Sequence, residues 1–151
     1  MRRRKFIKTI CVASAIGTSV LSGCKSTQVL VQGMRKDNDI YVPLAEFGLK
    51  KTINVAYENS AIGVTQLEDD NYVAVLLKCT HMGCAVASEK INDTQAGFVC
   101  PCHGAKFAAD GEVLKGPAEK NLTQFSTSIY TSTAGSTFSE NNGSQFVVIH
   151  L

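Results

Sequence analysis

The chain has 151 residues, a length that fits one domain of ordinary size. Its formal charge is +2, but residues 1–23 hold five of the fifteen Lys/Arg and no acid, leaving ten basic against thirteen acidic side chains in the remainder. A mildly acidic body has no electrostatic footprint for nucleic acid, so no nucleic-acid partner is expected. Trp is absent, and apolar side chains seldom recur at helical spacing beyond the N-terminal segment. An all-β fold is the expectation.

The N-terminus reads MRRRKFIK and is followed by a mostly apolar, uncharged run from Thr9 to Ser22. Leu21-Ser22-Gly23-Cys24 and the polar Lys25-Ser26-Thr27-Gln28 come next. A basic start, an apolar core and small residues before a break make an export signal. The run falls short of the roughly twenty residues that span a bilayer, which leaves an uncleaved helical anchor as the alternative. Arg3-Arg4-Lys5-Phe6-Ile7-Lys8 resembles a twin-arginine signal, the address of proteins exported already folded. Leu21-Ser22-Gly23-Cys24 resembles a bacterial lipobox, in which Cys24 is lipidated and becomes the mature N-terminus. Residues 1–23 are therefore read as a signal or short anchor, 24–37 as a tether and 38–151 as the folded domain. Cys11 is small apolar filler within the signal. The mature protein is expected on the outer, periplasmic side of a membrane, held there by lipid or by an N-terminal helix.

Within the body, Ile40, Val42 and Leu44 alternate as in a half-buried strand, and Ile53, Val55 and Tyr57 repeat the pattern. Ile62 to Leu67 is another candidate strand. Asp69-Asp70-Asn71 is a turn signal. Tyr72 to Lys78 is a continuous apolar run consistent with a buried central strand entering Cys79. Antiparallel pairing is expected because the joining turns are short. Ala85 to Gly97 reads as loop or one short turn, and Phe98-Val99 as a brief strand. Asp110-Gly111 marks a hairpin between Ala105-Lys106-Phe107 and Glu112-Val113-Leu114. Gly116-Pro117-Ala118 forms a further loop, and Leu122 to Tyr130 alternates again. Thr131 to Thr137 reads as a surface loop, and Asn141-Asn142-Gly143 turns the chain into a last strand, Phe146 to Leu151. No internal repeat is visible. His150, in that last strand, reads as a plain strand residue.

The chemistry lies in Cys79-Thr80-His81-Met82-Gly83-Cys84 and Cys100-Pro101-Cys102-His103-Gly104. Each stretch offers one cysteine and one histidine as a metal half-site, with one further cysteine. Structural zinc also takes two cysteines and two histidines, but as C-x2–4-C followed by H-x3–5-H, and it leaves Cys84 and Cys102 without a role. That pair could bridge the two stretches. A disulfide scaffold alone has no use for His81 and His103. Mixed half-sites suit a two-iron cluster, with thiolates on one iron and imidazoles on the other.

These stretches resemble the C-T-H-x-G-C and C-P-C-H-G signatures of Rieske iron–sulfur proteins. With the Gly116-Pro117-Ala118 loop, the resemblance covers about residues 75–118. It implies one 2Fe–2S cluster held by Cys79 and Cys100 on one iron and by His81 and His103 on the other. It implies a Cys84–Cys102 disulfide, and glycines at 83 and 104 where the backbone turns closely round the cluster. Met82 would pack over the site as an apolar shield, and Pro117 would start a proline loop over its third side. The implied fold is one of stacked antiparallel sheets. A small cluster-binding subdomain, about 78–118, would sit on a base built from 38–77 and 119–151.

Ligand replacement sets the expected chemistry. Two neutral imidazoles in place of two thiolates make the site less negative, so it accepts an electron more readily. Rieske potentials accordingly run from roughly −150 to +300 mV, against about −400 mV for plant-type clusters. Higher-potential members carry Ser and Tyr where this chain has Ala105 and Phe107, so a lower potential is expected here. Glu119 also stands where the family often has a second proline. The resemblance implies a one-electron carrier rather than a self-contained enzyme. It would be the iron–sulfur subunit of a quinol–cytochrome c reductase-like complex, drawing electrons from quinol at a cytochrome b and passing them to a cytochrome c or cupredoxin. The alternatives are the small subunit of an arsenite-oxidase-like molybdenum enzyme, or a stand-alone Rieske lipoprotein. A dioxygenase-type ferredoxin fits less well, since such proteins typically lack both the second cysteine pair and the export signal. A disulfide-held lipoprotein without a redox role is the remaining contrast.

Overall fold

The structure, a computed structural model, describes residues 29–68, 70–91, 96–133 and 143–151. The export signal with Cys11 and Cys24, Asp69 of the first turn, Asn92–Gln95, residues 134–137 of the Ser/Thr-rich stretch and Asn141-Asn142 lie outside these residues. Among those described, no helix is long and apolar enough to cross a membrane.

Twelve strands and one 3-10 turn, Leu44–Glu46, make up the described fold. Strands β1 (Leu30–Val31), β2 (Met34–Lys36) and β3 (Asp39–Pro43) lead to β4 (Thr52–Tyr57), β5 (Ser60–Gln66) and β6 (Tyr72–Leu76). Next come β7 (Ala87–Lys90), β8 (Ala96–Val99), β9 (Lys106–Ala108) and β10 (Val113–Lys115), then β11 (Gln124–Thr131) and β12 (Gln145–His150). A large sheet runs β1-β4-β5-β6-β11-β12-β3-β2, and a small one runs β10-β9-β8-β7. The fold is all-β, in curled and stacked sheets.

Three segments depart from the sequence-based expectation. Residues 30–36, expected as tether, form β1 and β2, and β1 pairs in parallel with β4 through Leu30–Asn54 and Val31–Val55. These strands cover otherwise open edges of the large sheet, a position where polar side chains are favoured and apolar alternation is weak. Arg35 of β2 stacks its guanidinium 5.3 Å above the Tyr57 ring. The third departure is β7, in a stretch expected as loop. It pairs with β8 from Ala87–Val99 to Lys90–Ala96, and Ser88 Oγ donates to Asn54 Oδ1 of the large sheet at 2.7 Å.

Two apolar cores result. Alternate residues of β3, β4, β5 and β12 (Ile40, Val42, Ile53, Val55, Ile62, Val64, Val147, Ile149) fill the first. Val75, Leu77, Val86, Phe98, Phe107 and Leu122 fill the second, together with Cys79 and Cys100. The run through β6 serves both, Tyr72 and Ala74 facing the first core and Val75 and Leu77 the second. A strand buried on both faces shows a continuous apolar run rather than alternation. His150 is more than a plain strand residue: Nδ1 meets Asp39 Oδ1 at 2.9 Å and Nε2 meets Ser128 Oγ at 3.0 Å, tying β3, β12 and β11 together.

Candidate metal centre

Two loops emerge from the second core. Loop one, Cys79–Cys84, follows β6, and loop two, Cys100–Ala105, joins β8 to β9. Their backbones are duplicates. The N–H of Cys79 donates to the Cys84 carbonyl at 2.8 Å, and that of Cys100 to the Ala105 carbonyl at 2.8 Å. The N–H of Gly83 donates to the Cys79 carbonyl at 2.8 Å, and that of Gly104 to the Cys100 carbonyl at 2.9 Å. Gly83 and Gly104 have φ of 75° and 74°, which a side chain would make costly. Position by position, Cys79 corresponds to Cys100 and Gly83 to Gly104, but His81 corresponds to Cys102, Met82 to His103 and Cys84 to Ala105. The repetition is one of backbone shape, carried by a cysteine and a glycine four residues apart, and side-chain pattern alone hides it.

The donors are sorted by depth. Cys79 and Cys100 are buried, at 3% and 1% exposure, and neither is in a disulfide. His81 and His103 are exposed, with ring centroids 4.9 Å apart and planes at 89°. Burial pushes the Cys79 thiol up from its ordinary pKa, while the backbone N–H of His81 pulls it down. The Cys100 sulfur raises it further, and the Met82 N–H opposes that. Those two N–H groups favour the anionic sulfur that a metal requires.

Cys84 and Cys102 are joined by a disulfide, their Cα atoms 6.6 Å apart. The sulfurs of Cys84, Cys100 and Cys102 lie within 4.8 Å of one another. Two of the three are bonded to each other and offer no thiolate, so Cys100 is the free donor of that group. The disulfide thus clamps loop one to loop two beside a buried thiol. A third segment closes the side: Ala118 is buried in the second core, and Thr80 Oγ1 of loop one donates to the Lys120 carbonyl at 2.6 Å. That contact links residues forty apart, and Thr80 carries no local sign of it. Pro117 and Met82 are exposed, Met82 at 71%. Ala105 and Phe107 are fully buried.

Two buried thiols behind two exposed imidazoles, converging from two clamped loops, fit a cluster with unlike ligands on its two irons. A tetrahedral zinc site has no need of that separation. A model of the Rieske [2Fe-2S] domain matches residues 41–126, more than half of the chain. The chain belongs to the Rieske family. Its cofactor is a Rieske-type 2Fe–2S cluster. This Rieske protein is 33% identical in sequence to the cyanobacterial plasma membrane Rieske protein PetC3 from Synechocystis PCC 6803. The two structures align with a TM-score of 0.51, over 71% of this chain and 96% of that one. It is 43% identical over 53 residues to a ubiquinol-cytochrome c reductase iron-sulfur subunit of Rickettsia prowazekii, 35% of this chain and 29% of the relative. It is likewise 43% identical over 54 residues to a cytochrome b6-f complex iron-sulfur subunit of Synechococcus sp. (strain JA-3-3Ab), 34% of this chain and 28% of the relative. The match therefore spans less than a third of each of these two curated subunits.

Proposed function

We propose that Cys79 and Cys100 hold one iron through sulfur, that His81 and His103 hold the other through nitrogen, and that the protein carries single electrons in a membrane-associated respiratory chain outside the cytoplasm. The observation that carries this reading is the depth-sorted donor set on two clamped loops of one backbone shape. When bound, the cluster supplies a centre that gains or loses one electron. The protein's residues do the rest. Cys79 and Cys100 place sulfur in a water-poor interior. His81 and His103 bring the other pole to the surface, where a partner can approach closely. Each imidazole would keep one ring nitrogen free of metal, available to hydrogen-bond a quinol or water. The Cys84–Cys102 bridge and the Thr80 hydroxyl hold the loops in register.

The membrane setting rests on residues 1–24, with Cys24 as the lipidation site. The first reading for the complex is a quinol–cytochrome c reductase-like assembly, in line with the names of the relatives. A stand-alone carrier is the second, favoured by the near-complete overlap with a protein described only as a plasma membrane Rieske protein. In either case the donor is a quinol site or partner enzyme, and the acceptor a cytochrome c or cupredoxin.

Iron and acid-labile sulfide analysis with electron paramagnetic resonance of the reduced protein tests the ligand assignment. Purified protein should contain equal iron and sulfide and give a Rieske-type signal. His81→Ser or His103→Ser should abolish that signal, while His150→Gln should keep it. A signal that survives loss of either loop histidine would refute the assignment.

A further inference from the structure

The end of the molecule that bears the two loops is charged differently from the rest. Residues 78–88 and 100–120, which carry the two loops, the strands beside them and the third loop, hold Lys78, Lys106, Lys115 and Lys120 against Asp110, Glu112 and Glu119, whereas residues 24–151 as a whole carry ten basic and thirteen acidic side chains. Glu58 near Lys78, and Glu89 next to Ser88, are further acidic neighbours of these segments.

Lys106 and Lys115 have an unusual relation. They face each other directly across β9 and β10. A regular ladder starting from the Val113–Phe107 pair would set Leu114 opposite Lys106. The register shift between Val113 and Lys115 adds one residue to β10 and sets lysine against lysine instead. Like charges in directly opposed positions weaken a sheet, and neither ammonium is ion-paired with a described carboxylate. Both stand next to the candidate centre: Lys106 follows Ala105 of loop two, and Lys115 precedes Gly116 of the third loop. The Lys120 backbone is drawn to loop one by the hydrogen bond from Thr80 to its carbonyl. Exposed apolar residues belong to the same loops and strands, Met82 at 71% and Leu114 at 47%, along with Pro101 and Pro117. Exposed apolar groups beside a pair of ammonium groups without an ion-pair partner among the described carboxylates have the composition of a transient docking face.

We infer that this end docks an acidic redox protein, and that the opposed Lys106 and Lys115 are its anion receptor. A partner carboxylate placed between the two ammonium groups relieves their repulsion, so binding is favoured there over other sites on the acidic body. The inference rests on the cluster assignment above and adds the charge of the partner.

Stopped-flow oxidation of the reduced holoprotein tests it, with two acceptors that share one haem. One is basic mitochondrial cytochrome c, and the other is the same protein succinylated to a net negative charge. At low salt the acidic form should react several-fold faster than the basic form. That advantage should shrink as ionic strength rises through the range where the Debye length falls to about 8 Å. The double variant Lys106→Gln, Lys115→Gln should lose most of the advantage, speed reaction with the basic form, and keep the paramagnetic signal. Equal rates for the two forms, a faster basic form, or an unchanged double variant would overturn the inference. So would lysine-dependent binding to phosphatidylglycerol vesicles without any preference between the acceptors, which would make this a lipid-facing surface. Failure of the cluster assignment is distinguishable, because the protein would then have no signal and reduce neither acceptor.

Discussion

Ala105 and Phe107 are the two positions at which the expected tuning of the centre can be tested. Both are fully buried, next to Cys100 and within the second core. The Ala105 carbonyl already accepts the Cys100 N–H at 2.8 Å, so a side chain change there need not disturb the loop. A serine hydroxyl at 105 and a tyrosine hydroxyl at 107 would add donors beside a centre that becomes more negative on reduction. Ala105→Ser with Phe107→Tyr should therefore raise the midpoint potential, by about 59 mV for each tenfold gain in preference for the reduced form. Protein-film voltammetry measures it, and an unmoved or lowered midpoint would mean the missing hydroxyls do not set the potential. At this scale the sequence was most informative. Ligation depends on residue type and on spacing within a few positions, so Cys79, His81, Cys100 and His103 stand out in the sequence as the candidate ligands proposed above. The Thr80 hydroxyl could not, because its acceptor is a backbone carbonyl forty residues away.

Elements meet at Gly63. It lies in β5, and a Cβ there would come within 2.7 Å of Phe98 Cε1 and 3.0 Å of Leu77 Cδ2. The missing side chain lets the Phe98 ring of the small sheet lie against the large sheet. Gly63→Ala should force the two sheets apart or displace the ring, at a cost of about 1–3 kcal/mol. Thermal unfolding followed by circular dichroism should show a midpoint several degrees lower; an unchanged midpoint would mean that Phe98 shifts freely. Strands β3, β4, β5 and β12 were legible because each buries apolar side chains, alternating along β3 and running continuously through β12. The Ala87-Ser88-Glu89-Lys90 strand was not legible. It is an edge of the small sheet with no fully buried residue, so pairing with β8 rather than apolar content defines it. The same holds for β1 and β2, which close the edges of the large sheet.

For the molecule as a whole, the order of folding and export matters. A cluster is assembled where iron and sulfide are supplied, whereas disulfides persist outside the cytosol. On the proposed export, a protein with both would cross the membrane folded and be oxidised afterwards, as a twin-arginine address allows. Arg3→Lys with Arg4→Lys should leave the precursor in the cytoplasm, seen by fractionation and by the mass of the N-terminal peptide. Export of that variant at the normal level would refute the folded route.

The amino-acid sequence by itself determined the all-β class and the kind of cluster, and it singled out the candidate cysteine and histidine donors, because each follows from residue chemistry and short-range spacing. Only the tertiary structure decided that the two donor loops share one backbone, that β6 feeds two cores, and that a bulge sets Lys115 against Lys106. Those features arise from pairing and packing between distant segments, where register, not composition, selects which side chains meet.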